Sequence, residues 1–288
     1  MNPRSEPQIL SDGELTVIGR IRSASNATFL CEAEVGEQRV HCVYKPIAGE
    51  APLWDFPDGT LAGRERGAYL VSAALGWDIV PHTIIRDGPA GPGMVQRWVD
   101  QPGDALTDDT LTDDPLTDDE DSRQTGEPAA GPDLVDLLPA GEVPPGFLGI
   151  LQAYDYAGDP VTLVHADDDR LRRMAVFDML INNADRKGGH ILAAVDGSVR
   201  GVDHGVSLHA EDKLRTVLWG WAGKPVEHET LTAVACLREE LSGDLAEHLV
   251  EHITAREVAA LRARVSGLLE HPVMPTPNRH RPIPWPAF

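Results

Sequence analysis

Residues 177–205 read FDMLINNADRKGGHILAAVDGSVRGVDHG and carry the strongest structural signal in the chain. Apolar runs at Ile191–Val195 and Val199–Val202 predict two strands, because the polar turn Asp196-Gly197-Ser198 between them is typical of a hairpin. An apolar run from Leu171 to about Asn182 precedes them and favours a helix. The segment therefore predicts a helix, a polar loop and a short hairpin in succession.

Three residues of this segment can carry chemistry. Asp185 and His190 fall in the polar loop, and Asp203 follows the second predicted strand. A helix, a loop with a carboxylate, a hairpin and a second carboxylate form the layout of a kinase catalytic loop and its metal-binding aspartate. The layout favours phosphoryl transfer.

The composition limits the classes of protein that fit. The chain has 288 residues, 42% apolar and 25% charged, enough for one two-lobed domain or two small ones. Its net charge of −21 argues against a nucleic-acid partner and against unaided docking on anionic membranes. No apolar run approaches the ~20 residues that span a bilayer, so no stable membrane insertion is expected. The first residues lack an apolar signal region, which favours a cytoplasmic location.

The chain divides into a β-rich part, residues 1–99, and a part expected to be mainly helical, residues 134–273, so the predicted fold class is α+β. The predicted strands of the first part are 14–21, 27–35, 39–45, 80–86 and 93–99, around a helix at Leu61–Leu75. The predicted helices of the second part are 170–182, 229–242, 245–252 and 255–270, the last capped by Thr254. Cys31 and Cys42 could face each other across a hairpin, and reduced core thiols are expected.

Residues 100–133, between the two parts, form an acidic insert in which LTDD occurs at 106–109, 111–114 and 116–119. Such a charged tract favours a solvated loop, with a divalent-cation sponge or an autoinhibitory mimic of a phosphorylated substrate as alternatives. The tail, residues 274–288, is proline-rich, which excludes a regular helix. It predicts an extended strap anchored by Trp285 and Phe288, with a proline-motif ligand as the alternative.

Lys45, at the end of a predicted strand, is the candidate phosphate-binding cation. Strand alternation places Val43 beside it on one face, where an adenine ring could rest. Glu65 lies twenty residues further on, in the predicted helix. A lysine–glutamate pair that bridges strand and helix is how protein kinases hold the phosphate-binding lysine. Two unrelated surface charges are the alternative.

A small polar loop separates the first two predicted strands. Its Ser23, Ser25 and Asn26 can present hydroxyl and backbone N–H groups to phosphate. The loop is not glycine-rich, so a plain hairpin connection is the alternative. The loop is therefore a candidate phosphate cradle only in combination with the other residues.

The polar loop of the central segment supplies the predicted catalytic groups. Asp185 is expected to act as base or to orient the attacking group. Arg186 and Lys187 beside it could stabilise the transferring charge or the carboxylate itself. His190 and Asp203 are the predicted ligands of a divalent metal.

These motifs resemble those of the phosphatidylinositol 3-/4-kinase superfamily, most closely those of type II phosphatidylinositol 4-kinases and their bacterial relatives. Residues 43–46, VYKP, are similar to the lysine motif, and residues 64–83, RERGAYLVSAALGWDIVPHT, to the helix segment that follows it. Residues 185–190 resemble the catalytic loop, and residues 203–205 resemble the Asp-x-Gly of the metal site. Asp178 matches an acid seven residues before the catalytic one, and we interpret it as a hydrogen-bonded brace of the loop.

The resemblance covers roughly residues 14–210. It implies an atypical two-lobed protein-kinase-like fold, α+β, with a β-rich N-lobe and a mainly helical C-lobe, that binds ATP with Mg²⁺ or Mn²⁺. It also implies a hinge at Val95–Val99, so that Gln96, Trp98 and Val99 would contact the nucleotide. Similarity of the whole chain to an actinobacterial branch of the superfamily is expected.

Two departures from the family pattern bear on the activity. His190 stands where the family has an asparagine metal ligand, and histidine favours softer metals than Mg²⁺, so a preference for Mn²⁺ or weak activity is expected. Further on, the bases Lys213 and Arg215 are balanced by the acids Glu211 and Asp212. This balance disfavours a phosphoinositide in a membrane as substrate.

The combined expectation is an ATP- and divalent-metal-dependent kinase. Its acceptor would be a hydroxyl on a protein, which includes the chain itself, or on a small polyol. The alternatives are a phosphatidylinositol lipid kinase, a protein nucleotidyltransferase and a nucleotide-binding regulatory pseudokinase. The retained Asp185 and Asp203 argue against the pseudokinase, whereas His190 argues for it.

Overall fold

The computed structural model of the protein describes residues 4–21, 26–103, 111–112, 133–155 and 157–288. Helices and antiparallel sheets share these ranges, which confirms a mixed α and β fold. The helices are α1 (Glu6–Asp12), α2 (Leu61–Leu75), α3 (Asp169–Ile181), α4 (His228–Glu240), α5 (Asp244–Leu249) and α6 (Ala255–Glu270). No helix in the described ranges is both long and apolar enough to cross a bilayer.

The strands form three sheets in the described ranges. They are β1 (Glu14–Ile21), β2 (Phe29–Val35), β3 (Gln38–Pro46), β4 (Thr83–Gly88), β5 (Gly91–Arg97), β6 (Leu111–Thr112), β7 (Val135–Pro139), β8 (Phe147–Tyr154), β9 (Pro160–Ala166), β10 (Ile191–Ala193) and β11 (Val199–Gly201). Of the acidic LTDD tract, only β6 is described, and its backbone pairs with β1. The other expectations for the tract lie outside the described residues.

The first sheet has the strand order β4-β5-β3-β2-β1-β6 and places Lys45 at the end of its β3 strand. The predicted alternation along β3 is present. Cys42 and Tyr44 are buried against α1, whereas Val43 and Lys45 lie on the other side. Cys42 pairs with Cys31 across the β2–β3 hairpin, and both are free thiols whose pKa burial raises to about 12.

The two strands after α2 are displaced from their predicted positions by two or three residues. Ile79 and Val80 are not part of β4, because their backbone N–H groups donate to the Ser72 hydroxyl at 3.0 and 3.1 Å. The sequence predicts the turn between these strands at Asp87-Gly88-Pro89, and the observed turn lies slightly later. Gly88 pairs with Gly91, whose φ of 92° suits glycine, so residues 89–90 form the tight turn.

α2 begins and ends where the sequence predicts. The Thr60 side chain accepts a hydrogen bond from the Gly63 backbone N–H, and Gly76 ends the helix in the left-handed conformation, with φ of 66°. The helix contacts β4 and β5 on one side and α3, α4 and α5 on the other. α2 therefore links the first sheet to the helical part of the chain.

Residues 134–273 contain a sheet that the sequence did not predict. β7, β9 and β8 pair antiparallel in that order before α3 begins. The expectation of a mainly helical C-lobe is therefore wrong for residues 135–166. The middle strand is buried continuously along Val161–His165, so its sequence lacks the regular apolar–polar alternation that identifies a half-exposed strand.

The later helices and the hairpin lie close to their predicted positions. α6 has the expected cap, in which Thr254 and Glu257 exchange hydrogen bonds between side chain and backbone. Strand β10 ends two residues before its predicted end, next to the turn in which Asp196 accepts from the Ser198 backbone N–H, and β11 lacks only the predicted last residue, Val202. The main core joins α2, α3, α4 and α6 and includes Phe177 and Leu208.

Candidate functional site

Lys45 stands at the centre of an ion-paired cluster between β3, α2 and the residues after β11. Its Nζ donates a hydrogen bond to Glu65 Oε1 at 3.1 Å and another to Asp203 Oδ1. Glu65 is only 3% exposed, so its charge is shielded from water. The expected Lys45–Glu65 pair is present, and Asp203 joins it from 158 positions along the chain.

The charges of this cluster stabilise one another. Desolvation opposes the charge on Lys45, but Glu65 and Asp203 outweigh it and raise the pKa of Lys45 above the usual lysine range. Desolvation also opposes ionisation of Asp203, but the nearby Lys45 outweighs it and holds the pKa of that carboxyl below its usual range. At neutral pH the lysine is therefore charged and Asp203 is ionised.

His204 fixes the second oxygen of Glu65 through its backbone. Its N–H donates to Glu65 Oε2 at 2.9 Å, so each carboxylate oxygen has its own donor. The His204 ring is fully buried, which lowers its pKa well below the usual histidine range and keeps it neutral. Its Nε2 accepts from Arg186 Nη2 at 2.6 Å, since arginine can only donate. The ring proton therefore sits on Nδ1, 3.9 Å from Glu65 Oε2.

Arg186 is an internal brace of the loop, which corrects the prediction that it faces the transferring charge. Its side chain is fully buried, and its guanidinium bonds both oxygens of Asp178 at 2.9 to 3.1 Å. It also donates to the carbonyls of His190 and Val202. Asp178 has the bracing position that the sequence predicts, and it accepts a further hydrogen bond from Thr216. A buried charge held by so many partners cannot turn outward without losing them.

Asp185 occupies a polar position next to two cations. The Asn183 side chain accepts from the Asp185 backbone N–H at 3.0 Å and so fixes the start of the loop. Burial raises the pKa of Asp185 above its usual value, and Lys187, with Nζ 3.7 Å from Oδ2, partly offsets that effect. Arg215 adds positive potential from the neighbouring segment. A carboxylate of raised pKa accepts a proton more readily, which suits a base.

His190 and Asp203 lie close enough to share one cation. His190 Nε2 is 3.5 Å from Asp203 Oδ2, and burial lowers the pKa of His190 to about 4, so the imidazole is neutral at pH 7. Among the described residues, no group of three or more His, Cys, Asp and Glu side chains forms a metal cage. Two ligands fit a divalent ion that takes its other ligands from phosphate and water, as Mg²⁺ commonly does.

The predicted nucleotide contacts lie on β3, on β5 and just after β5. Val43 lies on the same face of β3 as the site lysine. Gln96 is buried, and its amide donates to Thr83 Oγ1 at 2.8 Å, so its side chain is not open to a nucleotide. This corrects the expectation for Gln96. Trp98 and Val99 line a cavity of about 230 Å³ that the turn of the β10–β11 hairpin also borders.

The predicted phosphate loop is described only in part, because Ser23 and Ser25 lie outside the described residues. Asn26 is described, and its Oδ1 accepts from the Ala51 backbone N–H at 3.1 Å. Asn26 therefore ties the loop to the residues that follow β3.

The sequence did not predict two further parts of the site. His204 was visible only as the middle residue of the Asp-x-Gly motif, and its contacts with Arg186 depend on the folded chain. Phe288 packs on Gly188 of the loop. The available signal was the pair Gly188-Gly189, since a residue without Cβ permits such close contact.

Comparisons with other proteins give one relative of high similarity. Protein Rv2133c of Mycobacterium tuberculosis is 65% identical over 283 residues, which cover 98% of this chain and 95% of the relative. No family model matches the chain. At this identity and coverage, the chain belongs to the same family as Protein Rv2133c.

Proposed function

We propose that this chain is an ATP-dependent phosphotransferase of the phosphatidylinositol 3-/4-kinase-like superfamily, with an atypical two-lobed kinase-like fold. The observation that carries the proposal is the junction of Lys45 with Glu65 and Asp203. A strand lysine, a helix glutamate and an aspartate after a hairpin meet at one point, as phosphoryl transfer requires. The first sheet with α2 would form one lobe, and the later helices the other.

Each residue of the site has a distinct part in this proposal. Lys45, held by Glu65, would bind phosphate oxygens of the nucleotide. Asp185 would orient the acceptor hydroxyl and take its proton, and Lys187 would stabilise the negative charge nearby. The buried Arg186–Asp178 pair would hold the loop 185–190 in place.

A divalent ion, Mg²⁺ or Mn²⁺, would be held by His190 and Asp203 and would neutralise charge on the phosphates. The neutral His190 and the ionised Asp203 are suited to this task. An imidazole ligand favours a softer ion than Mg²⁺, which supports Mn²⁺ as the better metal.

The acceptor we propose is a hydroxyl on a small polyol or on a protein. A membrane phosphoinositide is less favoured, since Lys213 pairs with Asp55 at 3.8 Å and Arg279 with Asp212 at 3.8 Å. These two cations are already paired with acids and offer little excess charge to an anionic headgroup.

ATP labelled at either the α or the γ phosphate tests the proposal. Purified protein is incubated with each label and Mg²⁺ or Mn²⁺, and the label is measured in protein, polyol and lipid fractions. Label from the γ position in any fraction is expected. Label from the α position instead would indicate nucleotidyl transfer, and nucleotide binding without any transfer would contradict an enzyme.

A further inference from the structure

Residues 282–288, here called the tail strap, lie against the loop 185–190 of the site and against the segment 215–219. The Gly188 backbone N–H donates to the Ala287 carbonyl at 2.8 Å. The Thr216 backbone N–H and Trp219 Nε1 both donate to the Pro282 carbonyl, at 3.1 and 3.0 Å. In each of these hydrogen bonds the strap supplies the acceptor carbonyl and the contacted segment supplies the donor N–H.

The Phe288 ring fills the space over Gly188. A Cβ built at Gly188 would lie 2.4 Å from Phe288 Cε1 and 2.6 Å from Cδ1, closer than any real contact. At Gly189, the next residue, a Cβ would meet no described heavy atom within 4 Å. The glycine at 188 therefore permits the contact with the ring, whereas the glycine at 189 has free space beside it.

The strap contacts the loop 185–190 and the segment 215–219 where these two are already joined. The Arg186 backbone N–H donates to the Arg215 carbonyl, and the Val217 N–H donates to the Arg186 carbonyl, at 3.1 Å each. Thr216, between Arg215 and Val217, directs its own N–H to the strap. Gly188 lies between Asp185 and His190, so a shift of its backbone would move both.

We propose that the tail strap is a positioning element of the site and that Phe288 is its positioning residue. The inference rests on the proposed function. The strap holds the loop 185–190 so that Asp185 and His190 keep their places relative to Asp203. Nucleotide binding through Lys45 uses other elements and does not need the strap.

The test combines hydrogen exchange of the full chain with transfer kinetics. In Phe288→Ala, we expect faster exchange in peptides that cover residues 184–190, and phosphate transfer on the order of tenfold slower or more, because small misplacements of reacting groups cost that much. The KM for ATP should change by less than about twofold, which separates positioning from binding. Phe288→Leu, which keeps an apolar side chain over Gly188, should restore most of both properties.

Two glycine variants supply a matched comparison. Gly188→Ala should displace the strap and accelerate hydrogen exchange in the peptides that cover residues 184–190. Gly189→Ala should leave the strap in place and the exchange of these peptides unchanged. Because the three heavy atoms nearest to a Cβ at 188 all belong to Phe288, Gly188→Ala should add little in a Phe288→Ala background.

The outcomes separate the strap from the proposed function. Unchanged exchange at 184–190 in Phe288→Ala, or a transfer rate equal to that of the wild type, would overturn the strap inference. If the wild-type protein transfers no phosphate, the proposed function fails, and the positioning inference fails with it. Exchange then decides only whether the strap contact exists.

Discussion

Lys45 and Asp203 form an ion pair that joins β3 to the residues after β11, 158 positions apart in the chain. Glu65 completes the junction from α2. If a nucleotide with a divalent ion bound here, Lys45 would contact its phosphate oxygens and Asp203 would contact the ion. Under the proposed function, the pair would therefore couple nucleotide binding to the position of the β10–β11 hairpin.

Removal of the Lys45 charge should weaken nucleotide binding. A hydrogen bond to a charged group contributes about 1.5–3 kcal/mol, so Lys45→Met should raise the dissociation constant for ATP by roughly tenfold to a hundredfold. The dissociation constant of Lys45→Arg should lie between those of the wild type and of Lys45→Met, because arginine keeps the charge with a different shape. Calorimetric titration measures the effect, with the exposed Lys224→Met as control. Wild-type affinity in Lys45→Met would contradict the role of the lysine.

The buried Asp178–Arg186 pair should dominate the stability of the loop. Asp178→Ala leaves a buried guanidinium without its counter-ion and should lower the free energy of unfolding by about 3–5 kcal/mol. The double variant Asp178→Ala/Arg186→Met should lose less than the sum of the two single losses. Urea denaturation measures these changes. Arg238→Ala, from an exposed pair with Glu239, should cost less than about 1 kcal/mol, and an equal loss at both sites would refute the brace.

The ring of His204 should be replaceable only by a side chain that accepts a hydrogen bond. His204→Leu removes the acceptor for Arg186 Nη2 and should cost about 1–3 kcal/mol of unfolding free energy. His204→Gln keeps an acceptor at a similar reach and should cost less. Thermal unfolding of the two variants compares them directly. A leucine variant as stable as the glutamine variant would show that the Arg186 contact contributes little.

The metal preference should depend on His190. With His190→Asn, the imidazole nitrogen is replaced by an amide oxygen, a harder ligand that suits Mg²⁺. We expect the ratio of Mn²⁺-supported to Mg²⁺-supported nucleotide affinity to fall. Titration of ATP binding in each metal gives that ratio without reference to turnover. A ratio that stays the same would place the metal away from His190.

The sequence predicted the parts of the fold that local chemistry specifies. Thr60 and Gly76 mark the ends of α2 because capping depends on the residues nearby. The alternation of Val43 and Lys45 along β3 follows from the pleat of a strand. The pairing of Lys45 with Glu65 was accessible because a known motif links a strand lysine to a helix glutamate.

Contacts between distant segments could not be predicted in the same way. The burial of Arg186 depends on Asp178, Val202 and His204 coming together around it, and its sequence neighbours do not show this. The contact of Phe288 with Gly188 joins residues 100 positions apart in the chain. The sheet of β7, β8 and β9 was missed because its middle strand has no polar alternation.

The central claim is that the chain transfers the γ-phosphate of ATP with Asp185 as base. The most direct test compares transfer of γ-label with Mn²⁺ between the wild-type chain and Asp185→Asn. Asp203→Asn serves as a second loss variant, and the exposed Glu270→Gln is the control. We predict transfer by the wild type and by Glu270→Gln, and a loss on the order of a hundredfold or more in Asp185→Asn, as removal of a positioned base produces. Transfer by Asp185→Asn at the wild-type rate, or no transfer by the wild type with any acceptor, would contradict the claim.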